Sequence, residues 1–267
     1  MKRLNIIGII LCIIVFAAGF FIKGNVSMYF NLAGFMIVVG GSAAAALLSF
    51  RLDRLLITFK VVKASYRHRI KSEAEIVDIL IDLAIKSKVQ GVLSLQDVEQ
   101  ETSILFLRRG LGCLVDNYDP AQIRDILNTE MYFFKLRRED SERVLRTIGD
   151  FFPSFGIIGS VVGLISMLAG IGDTSVILAT VPVALTSTLY GLIFSNFFFV
   201  PFAANLRERT NQELLLQKII MEGIIAIDSE LNPTVLKTKL LSFLTPSERK
   251  SDLVPLAKIR ARFGPHT

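Results

Sequence analysis

Cysteine and histidine are scarce in this chain, two of each in 267 residues. Cys12 lies inside an apolar run and Cys113 in a charged stretch, so no disulfide framework is expected. His68 and His266 lie far apart among basic and terminal residues, leaving no material for a Cys/His metal centre. Charge is missing from long stretches. Leu4–Ile22 and Val26–Phe50 carry none, and Phe151–Leu206 carries only Asp173 in 56 residues. A soluble globule does not segregate charge in this way, and a disordered chain is not this apolar. The net charge of +6 would suit nucleic acid, but the basic residues flank the apolar runs, where membrane proteins place Lys and Arg, so no nucleic-acid partner is expected.

What is present is membrane-spanning material. A bilayer core about 30 Å thick needs roughly 20 apolar helical residues. Leu4–Ile22 has 19 and Val26–Phe50 has 25, joined by Lys23-Gly24-Asn25, which reads as a turn. Phe151–Leu206 divides at Gly170–Ser175 into a third span near Phe152–Ile171 and a fourth near Val176–Val200. None of these runs alternates in polarity, so a strand barrel is excluded. Lys2-Arg3 resembles the start of a signal peptide, but a second span follows without a small-residue cleavage site, so residues 1–50 read as an uncleaved hairpin. Basic residues cluster after span two (Arg51, Arg54, Lys60, Lys63, Arg67, Arg69, Lys71), before span three (Lys135 to Arg146) and after span four (Arg207, Arg209). Both termini and the hundred-residue middle segment are therefore expected in the cytoplasm.

The expected fold is all-α: a polytopic membrane protein with four transmembrane helices and a helical cytoplasmic domain. Residues 1–50 form the first hairpin, 51–150 the cytoplasmic domain, 151–205 spans three and four, 206–244 further cytoplasmic helices and 245–267 a mobile tail. Asp119-Pro120 reads as a helix start, and no Gly or Pro follows before Gly149, so one long helix can feed span three. Asn232-Pro233 starts another helix.

No catalytic constellation is visible: no nucleophile elbow, no phosphate loop and no metal-ligand motif. No Asp, Glu, Lys, Arg or His lies within the expected hydrocarbon, which excludes a proton relay supplied by this chain alone. Small and hydroxyl residues recur instead. Gly156, Ser160, Gly163, Met167 and Gly170 share a stripe of span three, and Ala184, Thr188, Gly191 and Ser195 one of span four. Glycine stripes read first as close helix packing, here Gly156, Gly163 and Gly191. On spacing alone, Ser160 and Thr188 are equally packing groups or wall groups of an ion path. Spans one and two read as lipid-facing or peripheral helices, apolar all round apart from Gly40-Gly41-Ser42-Ala43. Pro153 and Pro201 mark the cytoplasmic ends of spans three and four, and Pro182 is expected to kink span four.

Gly149-Asp150-Phe-Phe-Pro153-Ser-Phe-Gly156-Ile-Ile-Gly159-Ser160-Val-Val-Gly163-Leu164 resembles the third-span signature of the MotA/PomA family, the A subunits of the flagellar stator. Ala184-Leu-Thr-Ser-Thr188-Leu-Tyr190-Gly191 followed by Pro201, Val38-Val39-Gly40-Gly41-Ser42, Gly91–Leu95 and Val115-Asp116 extend the resemblance over nearly the whole chain. The resemblance implies a homo-pentamer of A subunits around a dimer of MotB/PomB-type B subunits in the bacterial inner membrane. The B subunit brings a membrane Asp; H⁺ or Na⁺ passes it, and the A ring turns and pushes the rotor protein FliG. No cofactor other than the transported ion is implied. Pro153 and Pro201 then match the coupling prolines, and Ser160, Ser187 and Thr188 the ion-path hydroxyls, while Lys88, Asp97 and Glu99 fall where rotor-facing charges lie. Departures are Ser160 for Thr, Gln96 for Glu, Val89 for a second basic residue and Pro182 for a small residue. The hydroxyls lean toward sodium without deciding the ion. The alternative is an ExbB/TolQ-type subunit energising outer-membrane transport, which typically has three spans and an outside N-terminus.

Overall fold

The computed structural model describes residues 3–22, 26–67, 71–102, 104–229 and 231–244. The expected Lys23-Gly24-Asn25 turn and the tail 245–267 lie outside these residues. The described residues are all-helical, with no strand among them. The described helices are α1 (Arg3–Phe21), α2 (Leu32–Ser49), α3 (Leu52–Arg67), α4 (Glu73–Gln90), α5 (Gln96–Glu101), α6 (Leu105–Val115), α7 (Pro120–Ala169), α8 (Thr174–Phe194), α9 (Val200–Asp228) and α10 (Pro233–Leu241). Short 3₁₀ turns cover Val26–Tyr29 and Val92–Leu95, and a π-helical segment, Ser195–Phe199, lies between α8 and α9.

Side-chain caps set many of the helix starts. Asn31 accepts from Gly34 N–H before α2, and Ser72 from Glu75 N–H before α4. Asp119 accepts from Ala121 N–H where Pro120 opens α7, and Asn232 from Thr234 N–H where Pro233 opens α10. With no breaker after Pro120, α7 runs for 50 residues and passes through Pro153. It ends at Ala169; Gly172 takes φ 110°, and Asp173 caps α8 by accepting from Ser175 N–H. The break in the 56-residue apolar run thus falls where the Gly-Asp cluster placed it. α8 continues through Pro182, and the irregular turn lies later, at Ser195–Phe199.

Among the described residues, three helical runs are long and apolar enough to cross a membrane: Leu32–Ser49, Pro120–Ala169 and Thr174–Asp228. The apolar stretch Leu11–Phe21 within α1 is shorter. Cys12 and Cys113 are both free.

The chain divides into two compact units. One comprises Met1–Val62 and Asp140–Asn205. Its core is thin, built from Val38, Ala46, Leu55, Val144, Ile148 and Phe152, while large side chains such as Leu48, Ile157, Leu178 and Leu185 point outward. The other comprises Lys63–Glu139 and Leu206–Thr267. It encloses a larger aliphatic core in which Leu80, Leu95, Leu107, Leu111, Ile123, Leu127, Ile219 and Ile224 are fully buried.

Helix α2 departs from the lipid-facing reading. Gly34, Val38, Ser42 and Ala46 recur every four residues and form a buried stripe. A Cβ on Gly34 would stand 2.8 Å from Ser187 Oγ of α8, and one on Gly41 would overlap the Phe155 ring of α7. Small side chains let α2 approach both helices closely.

Candidate functional site

The antiparallel pair α7 and α8 meets along a seam of small residues. A Cβ on Gly191 would lie 2.6 Å from Phe152 O, one on Gly163 2.8 Å from Ala184 N, and one on Gly156 3.1 Å from Ser187 O. Because these neighbours are backbone atoms, only glycine fits this approach. The three glycines singled out from the sequence all lie in the seam.

The close approach brings two hydroxyls together. Ser160 Oγ lies 2.5 Å from Thr188 Oγ1 and 2.5 Å from Ala184 O. A serine hydroxyl carries one proton. With that proton on Ala184 O, the Thr188 hydroxyl donates to Ser160 Oγ. The chain Thr188 to Ser160 to the Ala184 carbonyl then leaves acceptor lone pairs on Thr188 Oγ1, and both side chains are half-buried. Such an oxygen can accept from water or touch a cation.

Ser187 does not join this pair. It is fully buried, donates to Val183 O one turn earlier at 2.7 Å, and would collide with a Cβ on Gly34 or Gly159. Thr186 likewise donates to Pro182 O at 2.7 Å. Of the three predicted hydroxyls, two form an interhelical unit and the third is wedged among α2, α7 and α8.

Pro153 lies inside α7 and Pro201 is the second residue of α9. Proline has no N–H to give the helix ladder. At Ser195–Phe199 the ladder is already shifted, since Val200 N–H bonds to Ser195 O five residues back. The residues beside the two prolines are linked: the Phe152 and Phe199 rings stack at 4.9 Å, and Phe194 lies 5.2 Å from Phe152. A Cβ on Gly149 would meet Phe199 Cβ at 3.2 Å, so this region is tightly filled. π-helical turns occur mostly at functional positions.

Tyr190 has a role that spacing could not give. Its hydroxyl donates to Tyr29 O at 2.5 Å and accepts from Asn31 N–H at 2.7 Å. It therefore pins the join between the Val26–Tyr29 turn and α2, where each buried peptide group must find a partner. Ser42, almost fully buried in α2, has no hydrogen-bond partner among the described residues.

The rotor-facing candidates lie in the other unit. Lys88 is exposed in the last turn of α4, and Asp97 is exposed on α5. Glu99 is half-buried, with its carboxylate beside Gly112 and its backbone carbonyl held by Arg108 Nε at 3.0 Å. Gln96 and Val89 are exposed near them. The same unit holds a charge cluster that sequence inspection did not find. Glu222, about nine-tenths buried, receives Lys239 Nζ at 2.7 Å and Arg124 Nη1 at 3.0 Å, with Lys218 Nζ at 3.6 Å. Burial alone raises the Glu222 pKa, but the bonds from Lys239 and Arg124 outweigh it and hold the carboxyl below its usual range. Burial pushes the Cys113 thiol up. No group of three or more metal-ligating side chains occurs among the described residues.

Residues 98–218 match the model of the MotA/TolQ/ExbB proton channel family. The protein YtxD of Bacillus subtilis (strain 168) is 32% identical over 254 residues, 93% of this chain and 93% of that protein. The chemotaxis protein PomA of Vibrio alginolyticus is 30% identical over 230 residues, 86% of this chain and 90% of that protein. The structure of the flagellar MotAB stator complex from Bacillus subtilis superposes with a TM-score of 0.84 at 25% identity, covering 92% of this chain and 98% of that one. A seam of glycines and hydroxyls without ionisable side chains, the helix order and these likenesses agree, and the chain belongs to the MotA/PomA family of flagellar stator A subunits, which are channel-type proteins and not enzymes.

Proposed function

We propose that this chain couples inward flow of H⁺ or Na⁺ to rotation of the flagellar rotor, as one copy of a homo-pentamer around a B-subunit dimer in the bacterial inner membrane. The observation that carries this reading is the Ser160–Thr188 pair: two hydroxyls bonded across a glycine seam between two apolar helices. Such a wall can hold water or a partly stripped cation, but it supplies no carboxylate. A MotB/PomB-type partner that contributes a membrane Asp completes it. In this reading α1 serves as the first of four spans, and both termini and the unit holding Lys88, Asp97 and Glu99 face the cytoplasm. Those three residues present charge to FliG, and Ser187 supports the pair by packing. The stacked Phe152 and Phe199 beside Pro153 and Pro201 carry movement from the ion path to the cytoplasmic helices. Likeness to proteins named for motility and chemotaxis over most of the chain favours the motor over an ExbB/TolQ-type energiser.

The test uses a non-motile strain complemented with this chain and its B partner. Pro153→Ala and Pro201→Ala should each stop swimming while the protein still accumulates in the membrane. Normal swimming by both variants removes the coupling role. Swimming speed with the sodium and proton gradients varied separately assigns the ion, and speed indifferent to both removes the motor reading.

A further inference from the structure

Helix α3 begins directly after α2, and the join is bent: Phe50 takes extended backbone at φ −134°, ψ 143° between the two helices. The buried side of α3 is small, formed by Leu55, Thr58 and Ser65. Its other side leaves large apolar groups uncovered. Leu52, Leu56 and Phe59 stand at i, i+4 and i+7 on one stripe, Ile57 flanks it, and each is about half exposed or more. Cations border the stripe: Arg51 at the membrane end, Lys60 beside it and Lys63 one turn on, all exposed, whereas Arg54 lies on the opposite side of the helix, 3.7 Å from Asp140 of α7. The only acid of the helix, Asp53, lies 3.8 Å from Arg51. Leu47 and Leu48, in the last turn of α2, are uncovered as well.

We infer that this face of α3 is a docking surface for anionic phospholipid headgroups of the inner leaflet. Three features select lipid over a second copy of the chain. Helix α3 follows within three residues of Leu32–Ser49, a helix long and apolar enough to cross a membrane, so it starts at the level where acyl chains meet headgroups. Leucine, isoleucine and phenylalanine interleaved with Lys and Arg is the composition of interfacial helices, in which apolar groups enter the acyl boundary and long cationic stems reach phosphates. The surplus of positive charge complements an anionic leaflet, where each Lys or Arg near the surface strengthens binding about fivefold. Lipid held there would fix the tilt of α3 and with it the exit of α2 from the bilayer. The inference rests on the orientation given under Proposed function.

The test uses the full chain with its B partner in nanodiscs of phosphatidylcholine alone or with phosphatidylglycerol. In a Cys12→Ser, Cys113→Ala background, Phe59→Cys carries a bimane label. Lipid docking predicts a blue-shifted emission, quenching by doxyl-labelled lipid and a stronger effect with phosphatidylglycerol that weakens between 50 and 500 mM salt, roughly as charge screening requires. Lys60→Glu with Lys63→Glu should cut retention of phosphatidylglycerol through purification at least tenfold while thermal stability in detergent stays unchanged. A label shielded from iodide but not quenched by doxyl lipid shows a second copy on this face and overturns the inference, as does a label open to iodide or retention that ignores the charge reversal. Motility of the same variants is scored in parallel. Lost lipid preference with wild-type chain motile overturns the lipid surface alone, whereas failure of the wild-type chain to restore motility bears on the motor reading alone.

Discussion

The two units of this chain are both helical, yet they close by opposite rules. In the unit containing Leu80 and Leu111, helices are held apart by large aliphatic side chains that water expels. In the unit containing Gly156 and Gly191, the large side chains face outward and the helices meet through glycines and hydroxyls. Against lipid, hiding a leucine gains little, so close backbone approach and interhelical hydrogen bonds do the holding. The lesson is that the first unit should be sensitive to removing atoms and the second to adding them.

The largest effect expected is in the aliphatic unit. Leu80 is fully buried and packed against Gly223, whose Cβ would lie 2.6 Å from Leu80 Cδ1. Leu80→Ala should cost about 2–5 kcal/mol, through lost burial and the cavity left behind. Thermal unfolding in detergent reads this as a large drop in midpoint. Pairing it with Gly223→Ala sharpens the comparison. The added methyl meets only the tip of a flexible side chain, so the double variant should recover part of the loss, and a purely additive loss would mean that the cavity and the methyl do not meet.

The membrane-type seam should respond the other way. Gly191→Ala places a methyl against the backbone carbonyl of Phe152, which cannot rotate aside. A cost of about 1–3 kcal/mol is typical of overpacking. A Cβ on Gly40, in α2, would meet nothing within 4 Å; Gly40→Ala should leave stability unchanged or slightly raised. Equal loss from Gly191→Ala and Gly40→Ala would show a general cost of losing glycine and no tight seam.

Charge separates the units as well. The aliphatic unit carries Glu222 with its three cations, whereas the seam holds no ionisable side chain. Because the Glu222 carboxyl is held below its usual range, its contribution is present above about pH 4 and is lost as the pH falls through its lowered folded value. Glu222→Gln keeps the shape but leaves Arg124 and Lys239 unpaired. Both are more than 40% exposed, so water compensates and the cost should be about 1 kcal/mol at neutral pH. Melting curves from pH 6 to pH 3 should show the wild-type advantage shrinking at the acid end. An advantage constant across that range would mean that the carboxylate charge does not stabilise the fold.

The same contrast explains what could be read from sequence. Spans, caps and the break at Gly170–Asp173 depend on residues near one another, and the charge-free runs, Asp119-Pro120 and Asn232-Pro233 carried them. The glycine seam was legible because i, i+3 and i+4 spacing fixes a face. What faces that stripe was not. The Tyr190 hydrogen bonds to Tyr29 and Asn31 and the Arg124–Glu222 pair join residues about 160 and 98 positions apart, with no periodic signal to mark them. Helix α2 read as lipid-facing because its stripe of Gly34, Val38, Ser42 and Ala46 lies in a sequence apolar on every side. The π-helical turn before Pro201 coincides with the packing of Phe199 against Phe152 and Gly149, a contact that no local rule supplies.

The smallest stability effect separates the two neighbouring hydroxyls of α8. Ser187 and Thr188 differ by about 100° around the helix, so a motif places them together although their surroundings differ. Ser187 bonds within its own helix, and Ser187→Ala removes a back-bond that helices readily forgo. Ser160→Ala removes a bond between helices, worth about 0.6 kcal/mol on average in a membrane protein. Both variants should therefore assemble with nearly wild-type stability. Function should divide them. If Thr188 Oγ1 is kept in place by Ser160 to meet water or a cation, Ser160→Ala should slow swimming several-fold while Ser160→Thr restores it, and Ser187→Ala should swim normally. Swimming load curves for the three variants decide the matter. An equal defect in Ser160→Ala and Ser187→Ala would assign both hydroxyls to packing, because a group enclosed by Gly34 and Gly159 offers no oxygen to a passing ion.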